Sequence, residues 1–126
     1  MFAHLTIATR DVAATSRFFQ RTLGWQPIRT PENTPPDADW LAIAPGQQLH
    51  ILKVENFAPG PFEEEFGRHF ALFFSGREFE NLKARLKEHG AELIDAIRPT
   101  PFARFFFRDP NGYVFEVIDQ EGYVVE

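Results

Sequence analysis

Three of the four histidines and one buried-type glutamate fall on one internal spacing: His4 and His69 lie 65 positions apart, and His50 and Glu116 lie 66 apart. A chain built from two equivalent halves sets equivalent residues around a pseudo-twofold axis, so ligands converge without being neighbours in sequence. Imidazole nitrogens and a carboxylate are the donors that suit a divalent ion, and with no cysteine in the chain any metal must be held by nitrogen and oxygen. Two histidines and one carboxylate leave coordination positions open, an arrangement suited to Fe and open to Mn, Co, Ni or Zn. His4, His69 and Glu116 form the natural triad. His50 is either a fourth ligand or an acid/base beside the metal, and His50 and Glu116 are the candidates for proton handling. A glutamate inside Val114-Phe115-Glu116-Val117-Ile118 needs a cation when buried, and Arg104 or Arg108 would serve if no metal does.

The elements that must position these residues repeat in order. Ala3–Ala8 reads as a strand, Asp11 caps a helix striped by Val12, Phe19 and Leu23, and Gly24 stops it. Extended structure over Trp25–Arg29, a proline-rich loop and strands Trp40–Ala44 and Leu49–Val54 complete the first half. The order then returns: strand His69–Phe74, a helix striped by Phe79, Leu82 and Leu86, its stop at Gly90, and strands Phe102–Arg108 and Tyr113–Ile118 joined by Asp109-Pro110-Asn111-Gly112. Each half is β-α-β-β-β, roughly residues 1–55 and 68–126, with a linker over 56–67. In strand alternation the four candidates each stand opposite an apolar set, so one sheet face packs on a helix and the other curves around a cavity. Trp40 pairs with Arg104 on the repeat offset. These two and Phe106 are candidates for a substrate pocket, the alternative being a sheet-edge aromatic and a solvated arginine. Glu63-Glu64-Glu65 reads as a solvated run or a lid, and His89 as a cation at a helix C-terminus.

Composition narrows the classes. At 126 residues and 44% hydrophobic the chain is one domain's worth with a real core, and its fifteen phenylalanines supply most of the large apolar area. A net charge of −5 without a basic stretch argues against nucleic acid and anionic membrane partners. No apolar run is long enough to span a bilayer and no signal-type segment opens the chain, so a cytoplasmic location is expected. Small-molecule substrate and homodimeric pairing are the expected partners, because a small Phe-rich sheet leaves edges to cover.

The two halves, His4 in AHLTIATRD, His69 in GRHFALFF and the closing FFFRDPNGYVFEVID together resemble the vicinal oxygen chelate superfamily of glyoxalase I, extradiol dioxygenases, and fosfomycin and bleomycin resistance proteins. The resemblance covers essentially the whole chain. It implies an α+β fold of two tandem βαβββ modules forming a curved mixed sheet around a cavity. It also implies a divalent-metal-dependent lyase, isomerase or dioxygenase with His4, His69 and Glu116 as ligands. His50 stands where bacterial-type glyoxalase I has a glutamate, which changes the charge and the base of the site. The alternative implied is a non-catalytic, drug-sequestering protein. The site is drawn either from one chain or from two.

Overall fold

A computed structural model describes residues 1–60 and 63–124. Positions 61 and 62 of the expected linker, and the last two residues of the expected second half, lie outside the described residues. The contacts divide the chain into two units, Met1–Ala58 and Pro59–Glu126. Each carries the order β-α-β-β-β and builds its own four-stranded mixed sheet, so the fold class is α+β with two tandem βαβββ modules.

In the first unit, β1 (His4–Thr9) leads into α1 (Val12–Thr22), then β2 (Gln26–Ile28), β3 (Ala38–Ala44) and β4 (Gln47–Lys53), in sheet order β1-β4-β3-β2. Asp11 begins the helix as expected: its extended backbone lets the carboxylate accept from the Ala14 amide at 3.0 Å. Helix α1 packs on β3 and β4, burying Phe18 and Phe19 among Ile7, Leu41, Leu49 and Ile51. The parallel pairing of β1 with β4 sets Thr6 beside His50, and the antiparallel pairing of β3 with β4 sets Trp40 on its other side.

The second unit repeats this with β5 (Phe70–Phe74), α2 (Phe79–Glu88), β6 (Glu92–Ile94), β7 (Arg104–Arg108) and β8 (Val114–Asp119), in order β5-β8-β7-β6. The expected stripe Phe79, Leu82 and Leu86 is the buried one, and Phe79 meets Phe105 edge-on at 5.2 Å between ring centres. Both helices end at a glycine with positive φ, Gly24 at 76° and Gly90 at 91°, where a side chain would be strained. The Asp109–Tyr113 turn is closed by the Asp109 carboxylate, which accepts from the amides of Asn111 and Tyr113 at 3.0 and 2.8 Å. Burial pushes the Asp109 carboxyl up to about 6, against the opposing pull of the Tyr113, Asn111 and Gly112 amides.

Some strand bounds differ from expectation. Strand β7 begins at Arg104 rather than Phe102, because the Phe102 carbonyl is taken by the Thr100 hydroxyl at 2.7 Å. Strand β5 begins at Phe70, leaving His69 immediately before it. The pairing register also corrects the expected match of Trp40 with Arg104. Trp40 faces His50, and Phe106 faces Glu116, so Phe106 is the counterpart of Trp40 while Arg104 answers to Ala38.

Candidate functional site

Within the first unit His50 is the centre of a three-ring stack on the sheet face turned away from α1. Trp40 lies against one side at 3.5 Å between ring centres and 12° between planes, and His4 against the other at 4.0 Å and 14°. The Gln48 side-chain oxygen meets His50 Nε2 at 2.9 Å, so the neutral ring carries its proton on Nε2 and keeps a lone pair on Nδ1. Burial, and then the neighbouring His4, hold the His50 pKa below the ordinary histidine value. The lone pairs of two stacked imidazoles run in near-parallel planes, so His4 and His50 do not aim at a common point. His4 is exposed, and its ring edge is the accessible one.

The second unit solves the same positions with charge. Glu116 Oε2 accepts from Arg104 Nη1 at 3.0 Å, and Oε1 stands 3.3 Å from His69 Nε2. The His69 Nδ1 donates to the Gly67 carbonyl at 3.2 Å, which fixes the proton of a neutral ring on Nδ1 and turns the Nε2 lone pair toward the carboxylate. Two electron-rich atoms then face each other, a pairing that requires either a proton or a metal cation between them. Ligands at ~2.1 Å on one ion lie about 3.0–3.4 Å apart for octahedral to tetrahedral angles, so the observed separation fits a shared ion. A backbone carbonyl on the far nitrogen is also how metal-binding imidazoles are commonly oriented. The structure brings His69 and Glu116 together as a donor pair that fits a divalent metal, and no group of three or more His, Cys, Asp or Glu side chains that could hold a metal is gathered among the described residues.

The remaining pocket candidates lie in these two clusters. Trp40 belongs to the stack, and Phe106 is fully buried with His69 edge-on at 5.1 Å and the Arg104 guanidinium 5.3 Å from its ring centre. Arg104 is not the solvated cation of the alternative reading, since only 3% of its side chain is exposed. Arg108, the other arginine considered for Glu116, pairs instead with Glu92 at 3.3 Å. His89 caps the C-terminal end of α2, as expected.

One residue escaped the sequence reading. Glu65 is not part of a solvated run: its side chain is 5% exposed, and its carboxylate accepts from the amides of Ile97 and Arg98 at 2.6 and 2.9 Å and from Arg104 Nη2 at 3.1 Å. Burial pushes this carboxyl upward, but those three donors outweigh it and its pKa lies below the ordinary glutamate value. For Arg104, burial is likewise outweighed by its two carboxylate partners, and its pKa lies above the ordinary one. Nothing in the run Glu63-Glu64-Glu65 marks its buried member, and Phe66, which follows it, is exposed.

The model of the glyoxalase/bleomycin resistance protein/dioxygenase superfamily matches residues 1–117, and the chain belongs to that superfamily. Among particular relatives it is similar to glyoxylase I 4 of Arabidopsis thaliana, 27% identical over 90% of this chain and 67% of that protein. The fold is similar to that of the fosfomycin resistance protein FosX from Listeria monocytogenes, with a TM-score of 0.74, 21% identity, and coverage of 100% of this chain and 94% of that one. A structure of a FosX variant holds Mn(II) and 1S,2S-dihydroxypropylphosphonic acid; it matches with a TM-score of 0.72 and 20% identity over 94% of this chain and 89% of that one. No helix among the described residues is long and apolar enough to cross a membrane.

Proposed function

We propose that this protein is a divalent-metal-dependent enzyme acting on a small oxygen-bearing organic substrate, with His4, His69 and Glu116 holding the ion and His50 handling protons. The observation that carries the reading is His69 Nε2 standing 3.3 Å from Glu116 Oε1 while Nδ1 is tied to the Gly67 carbonyl. The Mn(II) held by the FosX structure is consistent with it. Nitrogen and oxygen donors admit Fe, Mn, Co, Ni or Zn. Such an ion, when bound, polarises adjacent substrate oxygens as a Lewis acid.

The protein's own groups complete the chemistry. His50, whose pKa is lowered by burial and by the neighbouring His4, offers Nδ1 as the proton acceptor, and its parallel stack on His4 favours this role over coordination. Trp40, half-buried in the ring stack, supplies apolar surface beside His50 that orients a small organic molecule, while Phe106 backs the His69 ring from the interior. A homodimer in the cytoplasm is part of the proposal, the cysteine-free composition being compatible with a reducing compartment. If the ligands come from two chains, co-expressed His4→Ala and Glu116→Gln variants will recover a fraction of the metal sites. If each site lies in one chain, they will recover none.

Metal analysis of protein prepared without chelator tests the reading. One divalent ion per site, lost in His69→Ala and retained in His89→Ala, is the expected result; no bound or restorable ion would end it. The Arg104–Glu116 ion pair supports a second reading, a metal-free small-molecule sequestering protein, because Glu116 already has a cation. That reading requires ligand-induced stabilisation to persist in EDTA.

A further inference from the structure

Resting on the assignment of His69 and Glu116 to one centre, we propose that the buried Glu65–Arg104 pair is the device that positions both of them. Glu65 has two oxygens and receives three N–H groups: Ile97 on Oε1, and Arg98 with Arg104 on Oε2. That arrangement ties the backbone at residue 65 to the 97–98 segment. Two residues further on, the Gly67 carbonyl holds the His69 ring by its Nδ1. On the other side, Arg104 turns its Nη1 to Glu116 Oε2, and its Nη2 also reaches the Arg98 carbonyl. One carboxylate oxygen of Glu116 is thereby occupied, and the other is left toward His69.

The guanidinium fork is what this role needs. Its fixed donor geometry holds two carboxylates at set angles, which a lysine ammonium on a flexible stem does not. The exposures of 5% for Glu65, 3% for Arg104 and 9% for Glu116 keep water from substituting for these bonds. Two buried carboxylates share one guanidinium, so the cluster retains a site for one more cation beside Glu116 Oε1. Glu65 and Arg104 are positioning residues in this scheme and touch no substrate.

The test uses Glu65→Gln and Arg104→Lys in the full chain. Glutamine offers one acceptor where Glu65 offers two, so its NH2 must oppose an N–H donor and release the clamp. In metal-free protein, nitrogen NMR of the His69 ring should show one hydrogen-bonded Nδ1–H environment in the wild type and exchange among several in Glu65→Gln. Arg104→Lys should keep the charge and still lose the single Nδ1–H environment; it decides the matter if Glu65→Gln does not fold. Where wild type takes up Mn(II) or Co(II), both variants should bind it roughly 10–100-fold more weakly, as is usual for lost outer partners of metal ligands. Unchanged His69 ring signals in a folded variant whose only defect is a lower melting temperature would overturn the proposal. If the wild type binds no metal, the proposed function fails, and the ring signature still decides this inference.

Discussion

The two units place chemistry at the same register positions and stabilise it in opposite ways. In the first, Thr6, His50 and Trp40 lie in one row across neighbouring strands, and polar groups are covered by stacked neutral rings. In the second, the row is Ala71, Glu116 and Phe106, and the polar group is held by ions, Arg104 to Glu116 and Arg104 to Glu65. A shared backbone therefore fixes where side chains stand but leaves their electrostatics free. In the proposed function the neutral stack is assigned the proton acceptor and the charged cluster the cation.

The aromatic counterparts provide the sharpest way to break this comparison. Phe106→Ala empties a fully buried site and should cost about 3–5 kcal/mol in denaturant unfolding, whereas Trp40→Ala, at a half-buried site, should cost about 1–2 kcal/mol. Equal costs would mean the two rows are built alike. Arg104→Met leaves carboxylates without their cation and should lose about 3 kcal/mol, a loss that high salt does not reproduce in the wild type because the pair is buried.

The two units should also respond to pH in opposite senses. For Asp109 in the second unit, the folded pKa of about 6 lies above the ordinary 3.8, so the native state holds the proton more tightly. Its stabilising contribution is present below 3.8 and is lost as pH rises through about 6, on the order of 2–3 kcal/mol at one pKa unit per 1.36 kcal/mol. Asp109→Asn should remove that slope from a pH series of melting temperatures. For His50 in the first unit, the folded pKa lies below the ordinary 6.5, so its contribution is present above 6.5 and is lost as pH falls through the depressed value. His50→Gln should flatten this smaller acid-side loss, and a wild-type curve whose slopes neither substitution alters would contradict both assignments.

Much of the frame was legible in the sequence because it rests on local signals. Asp11 and the two glycine stops bound their helices, and the Phe79, Leu82 and Leu86 stripe finds the core at helical spacing. The partners of the candidate residues were less legible. The offset of 64 between Trp40 and Arg104 lies close to the true repeat, but only the strand register shows that Phe106 is the counterpart. Glu65 was hidden because three adjacent glutamates look alike in one dimension, while the donors that bury the last of them come from residues 97, 98 and 104, more than thirty positions away. Arg104 as the cation of Glu116 was one of two arginines open to that role, and alternation alone does not separate it from Arg108 four positions on.

Thermal unfolding of chelator-treated protein across a titration with Mn(II), Co(II) and Zn(II) tests the central claim most directly. An ion shared by His69 and Glu116 should stabilise the wild type by about 2.7 kcal/mol at a hundredfold excess over its dissociation constant. His69→Ala and Glu116→Gln should show none of that gain. A wild type whose stability is indifferent to all three ions, or variants that respond as the wild type does, would contradict the account.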